Sequence, residues 1–304
     1  MGFCMSDVIA LVWDFDKTLV DGYMQDPIFR EYNLDPKEFW KENNDEIKRI
    51  EKSGLWVNHD TFYLNFFIRK IKDGTMNGLN NEKLKELGSK IQFYKGVESF
   101  FPEIQEMVSS NETYSNYDIK LEHYIISTGF RQMIEGCSIR QYVKKAWGCE
   151  LLEDEQGVPC EIGYTIDNTS KTRALFEISK GAGIDDRNNI DVNSKIPESE
   201  RRVHFINMVY IADGPSDIPA FSVINKNGGA TFAVYPKGNE KALKQVDKMR
   251  AEGRVQMYAE ADYSKGTTAR LWLENTVSNM ADKIVKANKD RLNQFTSGTP
   301  QHLI

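Results

Sequence analysis

The sequence is poor in the residues from which disulfide frameworks, zinc sites and membrane spans are built. Its 304 residues include 4 cysteines, at positions 4, 137, 149 and 160, and 4 histidines. No cysteines form a C-x-x-C pair and no histidines stand four residues apart, so we expect neither a disulfide framework nor a zinc site. No apolar run approaches the roughly 20 residues of a transmembrane helix. We therefore expect no membrane partner.

An excess of positive charge is also lacking. Lys and Arg total 39 against 45 for Asp and Glu, which leaves a net charge of −6. Proteins that bind nucleic acid generally present a basic face to the phosphate backbone, so we expect no nucleic-acid partner. The first residues lack the charged and apolar regions of a signal peptide, which predicts a cytoplasmic protein. Residues 1–6 fit the N-myristoylation pattern, and the sequence leaves open whether Gly2 is lipidated.

The most informative stretch of the chain is an apolar run followed at once by two acids. Residues 8–13 are uninterrupted and rich in Val and Ile, which predicts a strand buried on both faces. Asp14 and Asp16 follow with the i, i+2 spacing that aims both side chains the same way. They stand at the carboxyl end of a buried strand, where open α/β sheets bind ligands. The alternative is a surface loop in which the two acids only stabilise a turn.

From residue 96 onward, strand patterns alternate with helix patterns. Strands are predicted at 123–129, 149–152, 158–164, 203–212, 230–235 and 255–260, and helices at 97–108, 130–145, 171–180, 239–251 and 266–294. The strands at 149–152 and 158–164 are candidates for a hairpin, and residues 181–202 are predicted to be a loop. This alternation predicts an α/β fold with a doubly wound, parallel, Rossmann-like sheet.

Residues 21–95 interrupt this pattern with an all-helical segment. Helices are predicted at 27–32, at 36–53, from 58 or 60 to 73, and at 80–91. We interpret the segment as a small helical cap domain, packed on its own core. Residues 1–20 and 96–304 then form the α/β core domain.

Further residues with hydroxyl, ammonium or carboxyl side chains follow the other buried strands or begin a nearby helix. They are Ser127, Thr128, Lys171, Asp213 and Asp217. Converging carboxylates repel each other, which implies a hard divalent cation, and Mg²⁺ fits best because it binds carboxylates together with phosphate oxygens and water. Such a set predicts a phosphoryl-transfer site. Taken singly, residues 127–129 could form a plain turn and Lys171 could be a surface lysine. Asp217 could be only the N-cap of the following helix, or both a cap and part of the ligand shell.

Four short motifs in this order resemble those of the haloacid dehalogenase (HAD) superfamily. DFDKTL at 14–19 resembles its D-x-D-x-T signature, and STG at 127–129, Lys171 and DGPSD at 213–217 resemble its second, third and fourth motifs. The helical segment falls where this superfamily places a C1-type cap. ISTGF at 126–130 and YKGV at 94–97 are loosely similar to the phosphoserine-phosphatase branch.

The resemblance implies a role for each motif residue. Asp14 attacks phosphorus and forms an aspartyl-phosphate, and Asp16 protonates the leaving alcohol and then deprotonates the attacking water. The implied phosphate-binding residues are Ser127, Thr128 and Lys171, and the implied Mg²⁺ ligands are Asp14, Asp16 through its backbone carbonyl, Asp213 and Asp217.

The sequence thus predicts a magnesium-dependent phosphatase acting on a small phosphomonoester, because a cap that closes over the site excludes bulky polymers. A phosphomutase of the same superfamily and a catalytically silent binding protein are the alternatives. Trp56, His59, Tyr63 and Arg69 are candidate substrate contacts within the cap, and the sequence does not rank them.

Overall fold

A computed structural model describes residues 7–184 and 190–296, and for 294–296 the backbone alone. The lipidation pattern at 1–6 therefore lies outside the described residues. The strands are β1 Val8–Trp13, β2 Lys120–Phe130, β3 Val143–Glu153, β4 Pro159–Tyr164, β5 Met208–Ala212, β6 Ala230–Tyr235 and β7 Met257–Glu260. The helices are α1 Asp26–Glu31, α2 Pro36–Lys52, α3 Phe62–Lys72, α4 Asn81–Gly88, α5 Val97–Ser109, α6 Glu112–Ser115, α7 Arg131–Gly136, α8 Lys171–Lys180, α9 Ile218–Lys226, α10 Glu240–Ala251 and α11 Thr268–Thr296.

The seven strands form one sheet in the order β4-β3-β2-β1-β5-β6-β7. Every neighbouring pair is parallel except β3 and β4, which form the predicted antiparallel hairpin at one edge. The α/β fold with a doubly wound, mostly parallel sheet is therefore confirmed. The chain builds the sheet outward from β1 first to one side and then to the other. The crevice between the carboxyl ends of β1 and β5 is thus the switch point at which such sheets bind ligands.

Two predicted elements differ from the structure where strand pairing overrides the local pattern. The helix predicted at 130–145 ends at Gly136, and after a 3₁₀ turn the chain joins β2 from Val143 onward. The strand predicted at 203–212 begins only at Met208, which lies opposite Ala10 at the start of the ladder with β1. Both segments are polar–apolar mixtures whose state is decided by the neighbouring strand.

The segment between the first two motifs is helical, with α1 to α4 in the predicted places. Its aromatic side chains do not form a separate core. The rings of Phe29 and Phe67 lie 6.2 Å apart, and Phe67 lies 5.1 Å from Phe130, which ends the core strand β2. One apolar cluster therefore runs from the insert into the sheet, and the expectation of a small core of its own is wrong.

Helix α4 of the insert lies directly against α7 of the α/β core. A Cβ added to Gly136 would stand 1.7 Å from the carbonyl oxygen of Lys85, and one added to Gly88 would stand 2.2 Å from that of Met133. The absence of side chains at both glycines is what allows the two helix backbones to approach. The domain boundaries at residues 20 and 95 stay a prediction.

Within residues 7–184 and 190–296, no helix combines the length and the apolar character that crossing a bilayer requires.

Candidate active site

Asp14 occupies the first position after β1, at the switch point of the sheet. Its backbone N–H donates to the carbonyl of Ile211 in β5 at 2.9 Å, which fixes the end of β1 beside β5. The chain then turns through Lys17, whose φ of 58° is left-handed. This turn returns the Thr18 hydroxyl to Asp14, where it donates to Oδ2 at 3.0 Å. Both side chains are buried.

Asp16 is held at the point where the insert begins. Its Oδ1 accepts a hydrogen bond of 2.8 Å from the backbone N–H of Met24. The carboxyl group is half-buried and lines the same cavity as Asp14. The structure therefore places both predicted catalytic acids at one cavity.

Lys171 is a buried residue, so the alternative of a surface lysine is wrong. An Asx turn precedes it, in which Asp167 Oδ1 accepts from the N–H groups of Thr169 at 3.0 Å and Ser170 at 2.6 Å. Helix α8 starts directly after this turn, and only 2% of the Lys171 side chain is exposed. Its Nζ donates to Asp14 Oδ1 at 2.6 Å and to Asp217 Oδ1 at 2.7 Å.

Asp217 is fully buried and receives donors from three side chains. Besides Lys171, the Tyr210 hydroxyl donates to Oδ1 at 2.6 Å and the Ser216 hydroxyl donates to Oδ2 at 2.9 Å. Asp217 does stand at the N-cap position of α9, but its side chain makes no capping hydrogen bond to that helix, so the alternative in which it is only a cap is wrong. Tyr210 was missed by the sequence reasoning. Its only signal is a single hydroxyl in the otherwise apolar strand β5.

The carboxyl groups of Asp14, Asp16 and Asp213 have too little positive charge nearby to offset their burial and their mutual repulsion. Burial, followed by repulsion from Asp14, raises the pKa of Asp16 to about 8 and that of Asp213 to about 7. Burial also raises the pKa of Asp14 to about 6, although Lys171 opposes the shift. For Lys171 itself, burial disfavours the charged form, but Asp14 and Asp217 outweigh it and raise the pKa. A further cation would relieve this repulsion.

The donor set fits a hard divalent cation. Asp14, Asp213 and Asp217 each offer one carboxylate oxygen, and these oxygens lie within 4.8 Å of one another. Carboxylate oxygen is the ligand type that Mg²⁺ prefers. The Asp16 carboxylate is not in this group, so its predicted contribution through the backbone carbonyl stays a prediction.

The second motif lies inside β2 rather than in a plain turn. Ser127 is buried, and its Oγ accepts from the Gly129 N–H at 3.0 Å. The backbone carbonyl of Thr128 accepts from the Tyr63 hydroxyl of α3 at 2.7 Å. Ser127 and Thr128 both line the cavity, together with Lys171 and Asp213.

The cavity above these groups has a volume of about 660 Å³ and is closed on one side by the insert. Among the four insert residues named as candidate substrate contacts, His59 lines it. Trp56 is 100% exposed outside it, and Arg69 forms an ion pair with Glu46 at 2.7 Å. The cavity-lining residues that sequence reasoning missed are Lys17, Tyr23, Trp40, Asp60, Asn168 and Ser216. Apart from motif neighbours, no sequence signal marks them, because the packing of the insert decides which side chains face the cavity.

No model of a known protein family matches the chain. Among solved structures, it is similar to a HAD-family hydrolase from Salmonella enterica serovar Typhi, with 14% identity, a TM-score of 0.49, and coverage of 84% of this chain and 67% of that one. It is also similar to a phosphoserine phosphatase carrying a phospho-aspartyl intermediate analogue, with 16% identity, a TM-score of 0.46, and coverage of 90% and 99%.

A much nearer relative is known from its sequence. A protein of Borreliella burgdorferi, described as an uncharacterized protein, is 36% identical over 286 residues, which cover 88% of this chain and 95% of that protein. The match therefore extends over nearly the whole of both chains. The chain belongs to the same protein family as this Borreliella burgdorferi protein.

Proposed function

We propose that the protein is a magnesium-dependent phosphatase that hydrolyses a small phosphomonoester through an aspartyl-phosphate on Asp14. The observation that carries the proposal is the buried ammonium of Lys171, which contacts both Asp14 and Asp217 at the base of the cavity. A buried lysine between two carboxylates, beside a cluster that fits a divalent cation, is suited to a phosphoryl group that brings further negative charge.

In the first step, a carboxylate oxygen of Asp14 forms a bond to phosphorus while the bond from phosphorus to the alcohol oxygen breaks. The hydrogen bond from Thr18 holds the Asp14 carboxylate in a fixed orientation for this attack. Asp16 donates its proton to the departing oxygen, which would otherwise leave as a poor alkoxide leaving group. The alcohol is then free to leave through the cavity.

In the second step, a water molecule attacks the phosphorus of the aspartyl-phosphate. Asp16, now ionised, accepts the proton of this water, and the bond between Asp14 and phosphorus breaks. Inorganic phosphate is released and both carboxyl groups return to their initial states. Lys171 and Ser127 would bind the phosphoryl oxygens throughout. Mg²⁺, held by Asp14, Asp213 and Asp217, would neutralise charge on the phosphoryl group.

The proposal is tested by incubating the purified protein with a panel of phosphomonoesters, with and without excess chelator. We expect release of inorganic phosphate that requires Mg²⁺. Rapid acid quenching during turnover of a ³²P-labelled substrate should trap label on the wild-type protein and none on Asp14→Asn. Transfer of the phosphoryl group to another position of the substrate would instead indicate a mutase. No turnover and no labelling with any ester would leave the silent binding protein as the better interpretation.

A further inference from the structure

The charge of the cavity points to the chemistry of the leaving group. Four carboxyl groups line it, those of Asp14, Asp16, Asp60 and Asp213, against the two ammonium groups of Lys17 and Lys171. Asp16 holds the proton that it donates, and a bound Mg²⁺ and a phosphate dianion cancel each other, so the carboxylates of Asp14, Asp60 and Asp213 still exceed the two ammonium groups by one negative charge. The cavity therefore favours a leaving group with positive charge over one with negative charge.

Both lysines are already engaged by neighbouring side chains. Lys171 donates to two carboxylates at the base of the site. The Lys17 ammonium donates to the Tyr23 hydroxyl and lies 4.2 Å from the centre of its ring. Among the described residues that line the cavity, there is no arginine. A carboxylate on the leaving group would thus enter a cavity that is acidic overall and in which both lysines are already engaged, at a considerable desolvation cost.

The insert contributes an aromatic face and an anion to the same cavity. Trp40 is half-buried, and its ring is supported by Phe39 at 5.4 Å and Tyr63 at 5.9 Å. Asp60 is also half-buried, and its Oδ2 accepts from the backbone N–H of Asn168 at 3.3 Å, across the seam between insert and core. An indole face and a carboxylate are the groups that recognise alkyl ammonium ions.

We infer that the substrate is the phosphomonoester of an amino alcohol, with a primary or quaternary ammonium group and no carboxylate. The ammonium group is bound by Trp40 and Asp60, and the phosphoryl group lies at Asp14. This inference rests on the proposed phosphatase function. It also separates this protein from an enzyme for phosphoserine, whose leaving group carries a carboxylate.

Two matched substrate pairs test the inference on the full chain with Mg²⁺. Phosphocholine and 3,3-dimethylbutyl phosphate have nearly the same shape and differ in the positive charge. Phosphoethanolamine and phosphoserine differ in the carboxylate. We expect kcat/KM to favour phosphocholine and phosphoethanolamine within their pairs by about 10-fold or more. Equal values in the first pair, or a preference for phosphoserine, would overturn the inference.

Two variants test the assignment of Asp60. Asp60→Asn removes one negative charge from the cavity, and Glu38→Gln removes one from the exposed surface of α2. We expect the ratio of kcat/KM for phosphocholine over its uncharged analogue to fall toward one in Asp60→Asn and to stay unchanged in Glu38→Gln. An unchanged ratio in both variants would remove Asp60 from ammonium recognition.

A binding measurement separates the failure of this inference from that of the proposed function. Titration calorimetry of Asp14→Asn with Mg²⁺ and each member of the first pair measures recognition without turnover. Tighter binding of phosphocholine, in the absence of turnover by the wild type, would uphold the ammonium site and reject the phosphatase. Turnover of the panel with equal binding of the pair would reject the ammonium site alone.

Discussion

The hydroxyl of Tyr63 in α3 donates a 2.7 Å hydrogen bond to the backbone carbonyl of Thr128 in the second motif. A residue of the helical insert is thereby joined directly to the segment that carries Ser127. The thiol of Cys149 in β3 shares the same carbonyl, at 3.3 Å. The position of this segment, for which we propose phosphate binding, is thus supported from the insert and from the neighbouring strand at once.

This shared carbonyl predicts non-additive effects of Tyr63→Phe and Cys149→Ala. Each single variant leaves one donor in place, so we expect Tyr63→Phe to lower the free energy of unfolding by about 1 kcal/mol or less. The double variant removes both side-chain donors from this half-buried carbonyl, and it should lose more than the sum of the singles. Denaturant unfolding measures stability, and inhibition by inorganic phosphate measures the site. Strict additivity of both quantities would show that the two donors act independently.

Asp16→Asn tests the acid–base role with little change of shape. The amide oxygen of asparagine can still accept from the Met24 N–H, so the local fold and Mg²⁺ binding should persist. The proton required by the leaving alcohol is lost, and we expect kcat on an alkyl phosphate to fall by at least about 10²-fold. Steady-state phosphate release measures this fall, and calorimetry with Mg²⁺ is its control. Turnover close to that of the wild type would show that the Asp16 side chain has no part in proton transfer.

Lys171→Met tests the charge balance at the base of the site. Removing one partner from a buried ion pair leaves uncompensated carboxylates, which costs about 3–5 kcal/mol of stability. We expect a large fall in the thermal midpoint, and a partial recovery on addition of Mg²⁺. The double variant with Asp217→Asn should be more stable than Lys171→Met alone, since one of the buried charges is also removed. A double variant that is less stable would contradict the assigned role of Lys171 as the partner of Asp217.

His123 predicts an acid-sensitive contribution to folding. Its Nδ1 accepts from the Trp13 indole N–H at 3.1 Å, and its Nε2 lies 3.2 Å from the carbonyl oxygen of Phe101, which suits the neutral ring. Burial lowers the pKa of His123 to about 3, from 6.5. The unfolded chain therefore takes up a proton below about pH 6.5 that the folded chain rejects. The contribution of His123 to the free energy of unfolding is fully present above that pH, and it falls by about 1.4 kcal/mol per pH unit toward pH 3.

The measurement for His123 is the free energy of unfolding between pH 7 and pH 4. His123→Gln should flatten the profile relative to the wild type, whatever its effect at neutral pH. A His123→Gln profile parallel to that of the wild type would exclude this group as a source of acid sensitivity.

The predictions made from sequence succeed where one physical rule links the place of a residue along the chain to its place in the fold. Asp14 and Asp213 each follow an uninterrupted apolar run, and such runs form buried parallel strands whose carboxyl ends meet at one edge. The rule needs no knowledge of the packing around the strands, and it places the acids together. It fails for Val143, whose strand is preceded by a helix-like pattern, because the pairing with β2 decides the state of that segment.

The sequence by itself determined the mostly parallel sheet, the helical nature of the insert, the acids at the strand ends and the lysine that begins α8. Only the tertiary structure decided that Tyr210 holds Asp217, that Tyr63 reaches Thr128, and that Trp40 and Asp60 line the cavity. Strand ends converge because of backbone geometry, which the apolar pattern encodes locally. Which side of a helix faces a cavity depends instead on how the helices of the insert pack against Phe130 and against each other, and no local pattern specifies that arrangement.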